Sequence, residues 1–171
     1  MKLSGKAFVF GDNIDTDMII PARYCSSYNM EDLAPHSMEG HPEWKDGSFN
    51  SMVAEGDFVV AGENFGCGSS REAAPIALRG AGIGLIIARS FARIFYRNAI
   101  NIGLPILIAS EIVKSSSEGD VLEANLSSGI IQNLTQNVEE AAEPFPPFIQ
   151  GIIEAGGLLP WIAVQKKSGQ L

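Results

Sequence analysis

Between Gly62 and Glu72 the chain reads GENFGCGSSRE, placing three glycines, a thiol, two hydroxyls, a guanidinium and two carboxylates within eleven residues, directly after the apolar run FVVA. A glycine-rich turn from a strand into a helix leaves backbone N–H groups at the positive end of the helix dipole, where a carboxylate or phosphate is held. Arg71 adds a planar fork that suits a carboxylate. Ser69 and Ser70 fall at the C-terminal edge of the strand, the side on which open α/β sheets bind ligands. The same residues also satisfy a plainer pattern. Ser69 and Glu72 fit the S-x-x-E capping box, which leaves Arg71 as a solvated charge and the glycines as makers of the turn. A nucleotide loop is disfavoured, because the stretch has neither the lysine of a P-loop nor the G-x-G-x-x-G spacing.

Cys67 would be activated by a helix N-terminus. The only histidines, His36 and His41, lie in an irregular stretch, so no thiol–imidazole pair follows from spacing and a packed cysteine is the preferred reading. Cys25 and Cys67 make neither a disulfide framework nor a C-x-x-C pair. No metal centre can be built from this chain alone.

The elements that must position these groups follow from hydrophobic period. KAFVF reads as an opening strand, and GDNIDTD after it is rich in turn formers. Pro21 to Gly56 reads as irregular, with a short helix in MEDLAPHSM, and is expected to be a mobile loop. DFVVA, GLIIA and LPILIA read as strands. SSREAAPIALRG reads as a helix beginning at one of the serines, with Ala74, Ala77, Leu78 and Ala81 on one face, and SFARIFYRNAI as a second helix. That alternation predicts βαβ units with parallel strands. DVLEANL and GIIQNL predict a hairpin, and PFPPFIQGIIEAGGLL a short helix with prolines at its start and glycines at its end. The expected fold class is α/β with an added β-rich layer, in one domain over residues 1–171.

The chain has 171 residues, 46% of them apolar and 19% charged, the profile of a packed protein. With a net charge of −8 and no basic cluster beyond QKKS, it offers no electrostatic footprint for nucleic acid. Its apolar runs fall short of a membrane span and its N-terminus does not read as a signal peptide, so a cytoplasmic location is expected.

Two motifs taken together, GDNIDTDMIIPARY (Gly11 to Tyr24) and GENFGCGSSREAAPIAL (Gly62 to Leu78), followed by ARSFARIFYRNAINIGLPIL, carry a specific resemblance. Over nearly its whole length the chain resembles the small subunits of isopropylmalate dehydratases and, more broadly, the swivelling domain of the aconitase family. That resemblance implies a swivelling domain of β/β/α layers with parallel βαβ units, closing over a separate aconitase-type large subunit. It implies no cofactor in this chain, and a 4Fe–4S cluster held by three cysteines on the large subunit. It further implies a hydro-lyase that interconverts 2- and 3-isopropylmalate by dehydration and rehydration, a step of leucine biosynthesis.

Position by position, Ser69 resembles the family's catalytic serine base, Ser70 and Arg71 its contacts to the substrate carboxylate, and Asp17 the acid that orders the site. Arg23, Tyr24, Cys25, Ser26 and Ser27 match the loop that selects the substrate's variable group. Two positions depart from the pattern. Ala73 stands where related chains commonly carry histidine, which removes a hydrogen-bonding group beside the site. Homoaconitase-type chains tend to have arginine at the position of Ser26, so an extra substrate carboxylate is disfavoured here. Cys25, Ser26 and Ser27 are smaller and more polar than the usual isopropylmalate-type loop, which keeps a related alkylmalate such as 2,3-dimethylmalate open. A reading of another class is an anion- or nucleotide-binding regulatory module.

Overall fold

The N-terminal strand β1 (Lys2–Val9) changes character along its length, from alternating exposure at Lys2 to Lys6 to a buried end at Ala7 and Phe8, and this divides the sheet around it. The computed structural model describes residues 1–169. Residues Lys2 to Lys6 of β1 pair antiparallel with a later strand, whereas Ala7 to Val9 pair in parallel with the next strand in sequence.

After β1 the chain turns through α1 (Thr16–Ile19), a 3-10 turn at Ala22–Tyr24, α2 (Met30–Leu33), a second 3-10 turn at Ala34–His36, and α3 (Ser48–Met52). The stretch that reads as irregular is thus a set of short turns, anchored by Leu33, Met38 and Phe49, which are all fully buried. There follow β2 (Phe58–Ala61), α4 (Ala73–Gly80), β3 (Leu85–Ala88), α5 (Arg93–Asn101), β4 (Ile106–Ile108) and α6 (Ser110–Ser115). The chain ends in β5 (Val121–Asn125), β6 (Ile130–Asn133), β7 (Val138–Ala141), α7 (Pro147–Glu154) and α8 (Leu158–Lys167).

The seven strands form one sheet in the order β4-β3-β2-β1-β5-β6-β7. The wing from β1 to β4 is parallel and the wing from β1 through β5 to β7 is antiparallel. FVVA and LIIA are buried at every position, as parallel strands covered on both faces must be. β5 alternates exposed and buried residues, as a strand with one wet face does. This is the mixed α/β architecture expected from the alternation of strands and helices.

After β4, three elements were not marked by sequence pattern. α6 is started from outside, where Glu140 in β7 accepts hydrogen bonds from the N–H groups of Glu111 and Ile112 at 2.8 and 2.9 Å. β7 itself, VEEA, alternates only between half-buried and exposed residues. α8 follows α7 after a 99° bend and packs Trp161 edge-on against Phe148 at 5.0 Å. No single helix among the described residues is long and apolar enough to cross a membrane.

The capping-box expectation is corrected. α4 begins at Ala73, its N-cap is Glu72, and no side chain caps it. Ser69 is held further upstream, because its carbonyl accepts the Arg71 N–H at 2.8 Å and the Thr16 hydroxyl at 3.2 Å. The apolar face assigned to this helix is as expected, with Ala74, Ala77 and Leu78 fully buried.

Candidate functional site

Three loops leave the C-terminal ends of the parallel strands β1, β2 and β3, and they continue the sheet's pairing past the strands themselves. The Gly62 N–H donates to the Gly11 carbonyl (3.0 Å), Asn13 to Glu63 (2.8 Å), Gly66 to Ile14 (2.7 Å) and Thr16 to Cys67 (2.9 Å). On the other side, Phe65 donates to Ser90 (3.1 Å) and Ala92 to Phe65 (2.9 Å). GENFGCG is therefore the middle strand of a small extension, flanked by GDNIDTD and RSFA. Gly66 makes the close packing possible. Its φ is +77°, and a Cβ there would overlap the Phe95 ring. Phe65 then seats edge-on against Phe95 at 5.2 Å.

This zipper decides where the polar groups stand. Asp15 caps α1 by accepting the Met18 N–H at 2.8 Å, which fixes the direction of the following residues. Asp17, 59% exposed, then receives the Arg71 guanidinium, with Nη1 2.6 Å from Oδ1, while the Arg71 side chain is 24% exposed. The hydrogen bond to Asp17 raises the Arg71 pKa against the opposing effect of burial, and the Cys25 sulfur alongside adds to the rise. The guanidinium is a fixed, permanent cation. Ser69 and Ser70 are exposed, and neither hydroxyl bonds to a side chain or backbone group among the described residues.

Cys67 is half-buried, and burial, with the Asp15 charge second, pushes its thiol pKa up. A thiol so disposed stays protonated and is a poor nucleophile, in agreement with the packed reading.

The stretch Arg23 to Ser27 meets Arg71 at one residue. Cys25 lies against Arg71 and donates to the Pro21 carbonyl at 3.7 Å. Tyr24 is half-buried and stacks on His36, and Ser26 is exposed. Arg23 pairs instead with Glu39 (3.5 Å), and Ser27 donates to Asp32 (2.8 Å). Arg71, Asp17 and Cys25 are thus brought together, with Ser69 and Ser70 exposed directly before Arg71 in the chain, while Arg23 and Ser27 are engaged elsewhere. Thr16, which ties the first motif to the Ser69 carbonyl, and Asp12, paired with Arg89 at 2.5 Å, had no role in the sequence reading. Each does its work through a partner fifty or more residues away, so no local pattern marks it.

The face is open. A cavity of about 470 Å³ is lined by Lys2, Ser4, Glu123 and neighbours, and one of about 370 Å³ by Gly11, Asp12, Gly62, Arg89 and neighbours. Neither includes Ser69, Ser70 or Arg71. Among the described residues, no group of three or more His, Cys, Asp or Glu side chains is placed to hold a metal ion. A fixed cation beside two free hydroxyls can bind a carboxylate and offer an oxygen for proton transfer. Both functions require a second surface that excludes water.

Comparison with known proteins gives the same direction. Residues 12–111 match the model of the Aconitase C-terminal domain. The 3-isopropylmalate dehydratase small subunit of Caldanaerobacter subterraneus subsp. tengcongensis is 54% identical over 94% of this chain and 97% of its own. That of Thermodesulfovibrio yellowstonii is 53% identical over 94% of each. The crystal structure of a 3-isopropylmalate dehydratase from Methanocaldococcus jannaschii is similar with a TM-score of 0.89 at 43% identity, over 99% of this chain and 98% of that one.

Proposed function

The chain belongs to the Aconitase C-terminal domain family, among its 3-isopropylmalate dehydratase small subunits, and from that premise we propose that it is the small subunit of the hydro-lyase that interconverts 2- and 3-isopropylmalate in leucine biosynthesis. The observation that carries the residue assignments is the open face itself. Two exposed hydroxyls, without a partner among the described residues, directly precede an anchored guanidinium in the loop that leaves the C-terminal end of a parallel strand.

In this reading Arg71, aimed by Asp17, takes a substrate carboxylate in its planar fork, and Ser70 donates its hydroxyl to the same group. Ser69 accepts the proton from the carbon next to the one bearing the hydroxyl, and returns it to the alkene intermediate on either carbon. A serine hydroxyl is a weak base at its free pKa, so its negative charge must be stabilised where it forms. The helix dipole acts within the first turn only, and α4 begins four residues after Ser69. The stabilising charge is therefore assigned chiefly to Arg71 and to loop N–H groups. Departure of the substrate hydroxyl needs Lewis-acid chemistry, which a 4Fe–4S cluster supplies when bound on the large subunit.

The chain works as one swivelling domain that closes over an aconitase-type large subunit in the cytoplasm. The stretch 21–56 carries the substrate-selecting loop, Arg23 to Ser27. Water exclusion comes from that partner's face.

The test is reconstitution with an aconitase-type iron–sulfur large subunit, following the alkene intermediate by its near-ultraviolet absorbance. The mixture is expected to interconvert the two isopropylmalates while this chain alone does not, and a panel of alkylmalates fixes the substituent. Wild-type turnover in Ser69→Ala would remove Ser69 as the base. Binding of nucleotides to the isolated chain, with no turnover in the mixture, would replace the reading by a regulatory module.

A further inference from the structure

We infer that the turn His36–Gly40 is a positioning bracket, in which His36 and Glu39 set where the selecting loop stands relative to the Arg71–Asp17 pair, acting through Tyr24 and Arg23 without touching substrate. The inference rests on the reading of Arg23 to Ser27 as the substrate-selecting loop.

The Tyr24 and His36 rings lie flat against one another, with centroids 3.7 Å apart and planes 3° apart. His36 Nδ1 is 2.7 Å from Glu39 Oε1, and the other carboxylate oxygen of Glu39 is 3.5 Å from Arg23 Nη2. The Arg23 guanidinium in turn lies over the Tyr24 ring, 4.5 Å from its centroid. Two loop residues are therefore held by two turn residues, in a closed set of contacts. Burial pushes the Glu39 carboxyl up, but hydrogen bonds from His36 and Tyr24 and the nearby positive charges outweigh it, so the carboxyl stays ionised.

The far side of the same turn is fixed to the catalytic face. Met38 is fully buried with φ at +63°, and its N–H donates to the Ile19 carbonyl at 2.6 Å. Gly40 lies so close to the Asp17 carbonyl that a Cβ would overlap it. Asp17 holds Arg71, and Arg71 lies against Cys25, the residue after Tyr24. The path from Tyr24 through His36, Glu39, Gly40, Asp17, Arg71 and Cys25 closes on itself. A shift of the turn thus moves the loop with respect to the carboxylate-binding cation.

A turn that only stabilises the fold would change melting behaviour and leave substrate choice alone. In the reconstituted enzyme, Glu39→Gln is expected to raise the KM for isopropylmalate roughly five- to tenfold with kcat within about twofold. It should also lower the preference for isopropylmalate over a methyl-substituted malate. His36→Phe keeps the stack and loses the hydrogen bond, so its effect should be smaller than that of His36→Ala. In the isolated full-length chain, Glu39→Gln should move the amide resonances of Arg23 to Ser27 while those of Phe65 and Gly66 stay in place. Unmoved amides with an unchanged substrate preference overturn the inference. So does a loss of kcat that tracks a falling melting temperature in Glu39→Gln and His36→Phe alike. If the wild-type pair turns over no alkylmalate, the functional reading fails, and the amide resonances decide the bracket alone: movement at Arg23 to Ser27 supports it and its absence overturns it.

Discussion

Arg71 Nη1 lies 2.6 Å from Asp17 Oδ1, across 54 positions of sequence, and this one ion pair joins the loop that follows β1 to the loop that follows β2. The carboxylate is largely exposed, so the pair contributes little to the fold and much to the direction of the guanidinium. Asp17→Asn should therefore lower kcat/KM by roughly ten- to a hundredfold while the melting temperature moves by no more than about 2 °C. Arg71→Lys should behave alike, since an ammonium lacks the planar fork. Parallel loss of stability and activity in thermal melts and steady-state assays would reassign the pair to structure.

Ser69 divides its roles between main chain and side chain. Its carbonyl receives Thr16 and Arg71, whereas its hydroxyl has no described partner. Ser69→Ala should cost turnover by about a thousandfold or more and leave the melting temperature unchanged. Thr16→Val removes the donor to that carbonyl and should cost about 1 kcal/mol of stability together with a smaller loss of rate. Equal activity losses in the two variants would remove the distinction.

Gly66 and Gly68 both have positive φ, +77° and +92°, but only Gly66 has an aromatic ring where a Cβ would go. Gly66→Ala should destabilise by roughly 2–4 kcal/mol through backbone strain and overlap, and Gly68→Ala by about 1 kcal/mol through strain alone. Urea titration of both variants checks the order.

Asp120 is buried and accepts hydrogen bonds from Ser117 N (2.9 Å), Asn133 Nδ2 (2.9 Å) and Gln136 Nε2 (3.2 Å). Burial raises its pKa, but these bonds outweigh it, and the folded-state value lies below 3.8. The sign follows directly. A carboxyl whose pKa is lowered on folding stabilises the protein fully above its unfolded value, and that contribution is lost as pH falls through the folded value. Asp120→Asn should cost about 1–3 kcal/mol at neutral pH, and the gap to wild type should narrow in urea titrations below about pH 4. A gap independent of pH would show that the charge contributes nothing.

Ser26 is exposed and next in sequence to Cys25, which lies against Arg71. Ser26→Arg should let the reconstituted enzyme accept a substrate with an additional carboxylate, with a gain of about tenfold or more in kcat/KM relative to isopropylmalate. Unchanged discrimination in competition assays would place the selecting contact elsewhere.

What local pattern made legible was substantial. FVVA and LIIA announced strands buried on both faces, the helix face of Ala74, Ala77 and Leu78 was read correctly, and the two glycine- and aspartate-rich motifs carried the family. Local pattern failed where a distant group outcompetes the local one. S-x-x-E spelled a capping box at Ser69, but Thr16, 53 positions away, holds the Ser69 carbonyl upstream of the helix, and α4 starts only at Ala73. α6 has no cap of its own and takes one from Glu140.

The sequence by itself determined β1 to β6, the helices α4 and α5 between the parallel strands, the family and the residue types of the candidate face. Only the tertiary structure decided that Asp17 anchors Arg71, that Thr16 holds Ser69, and that Tyr24 rests on His36. The reason is physical: periodicity and turn chemistry act between residues a few positions apart, whereas the first two contacts exist only once β1 and β2 align in parallel and bring their C-terminal loops together, and the third only once the connection between them folds back on itself.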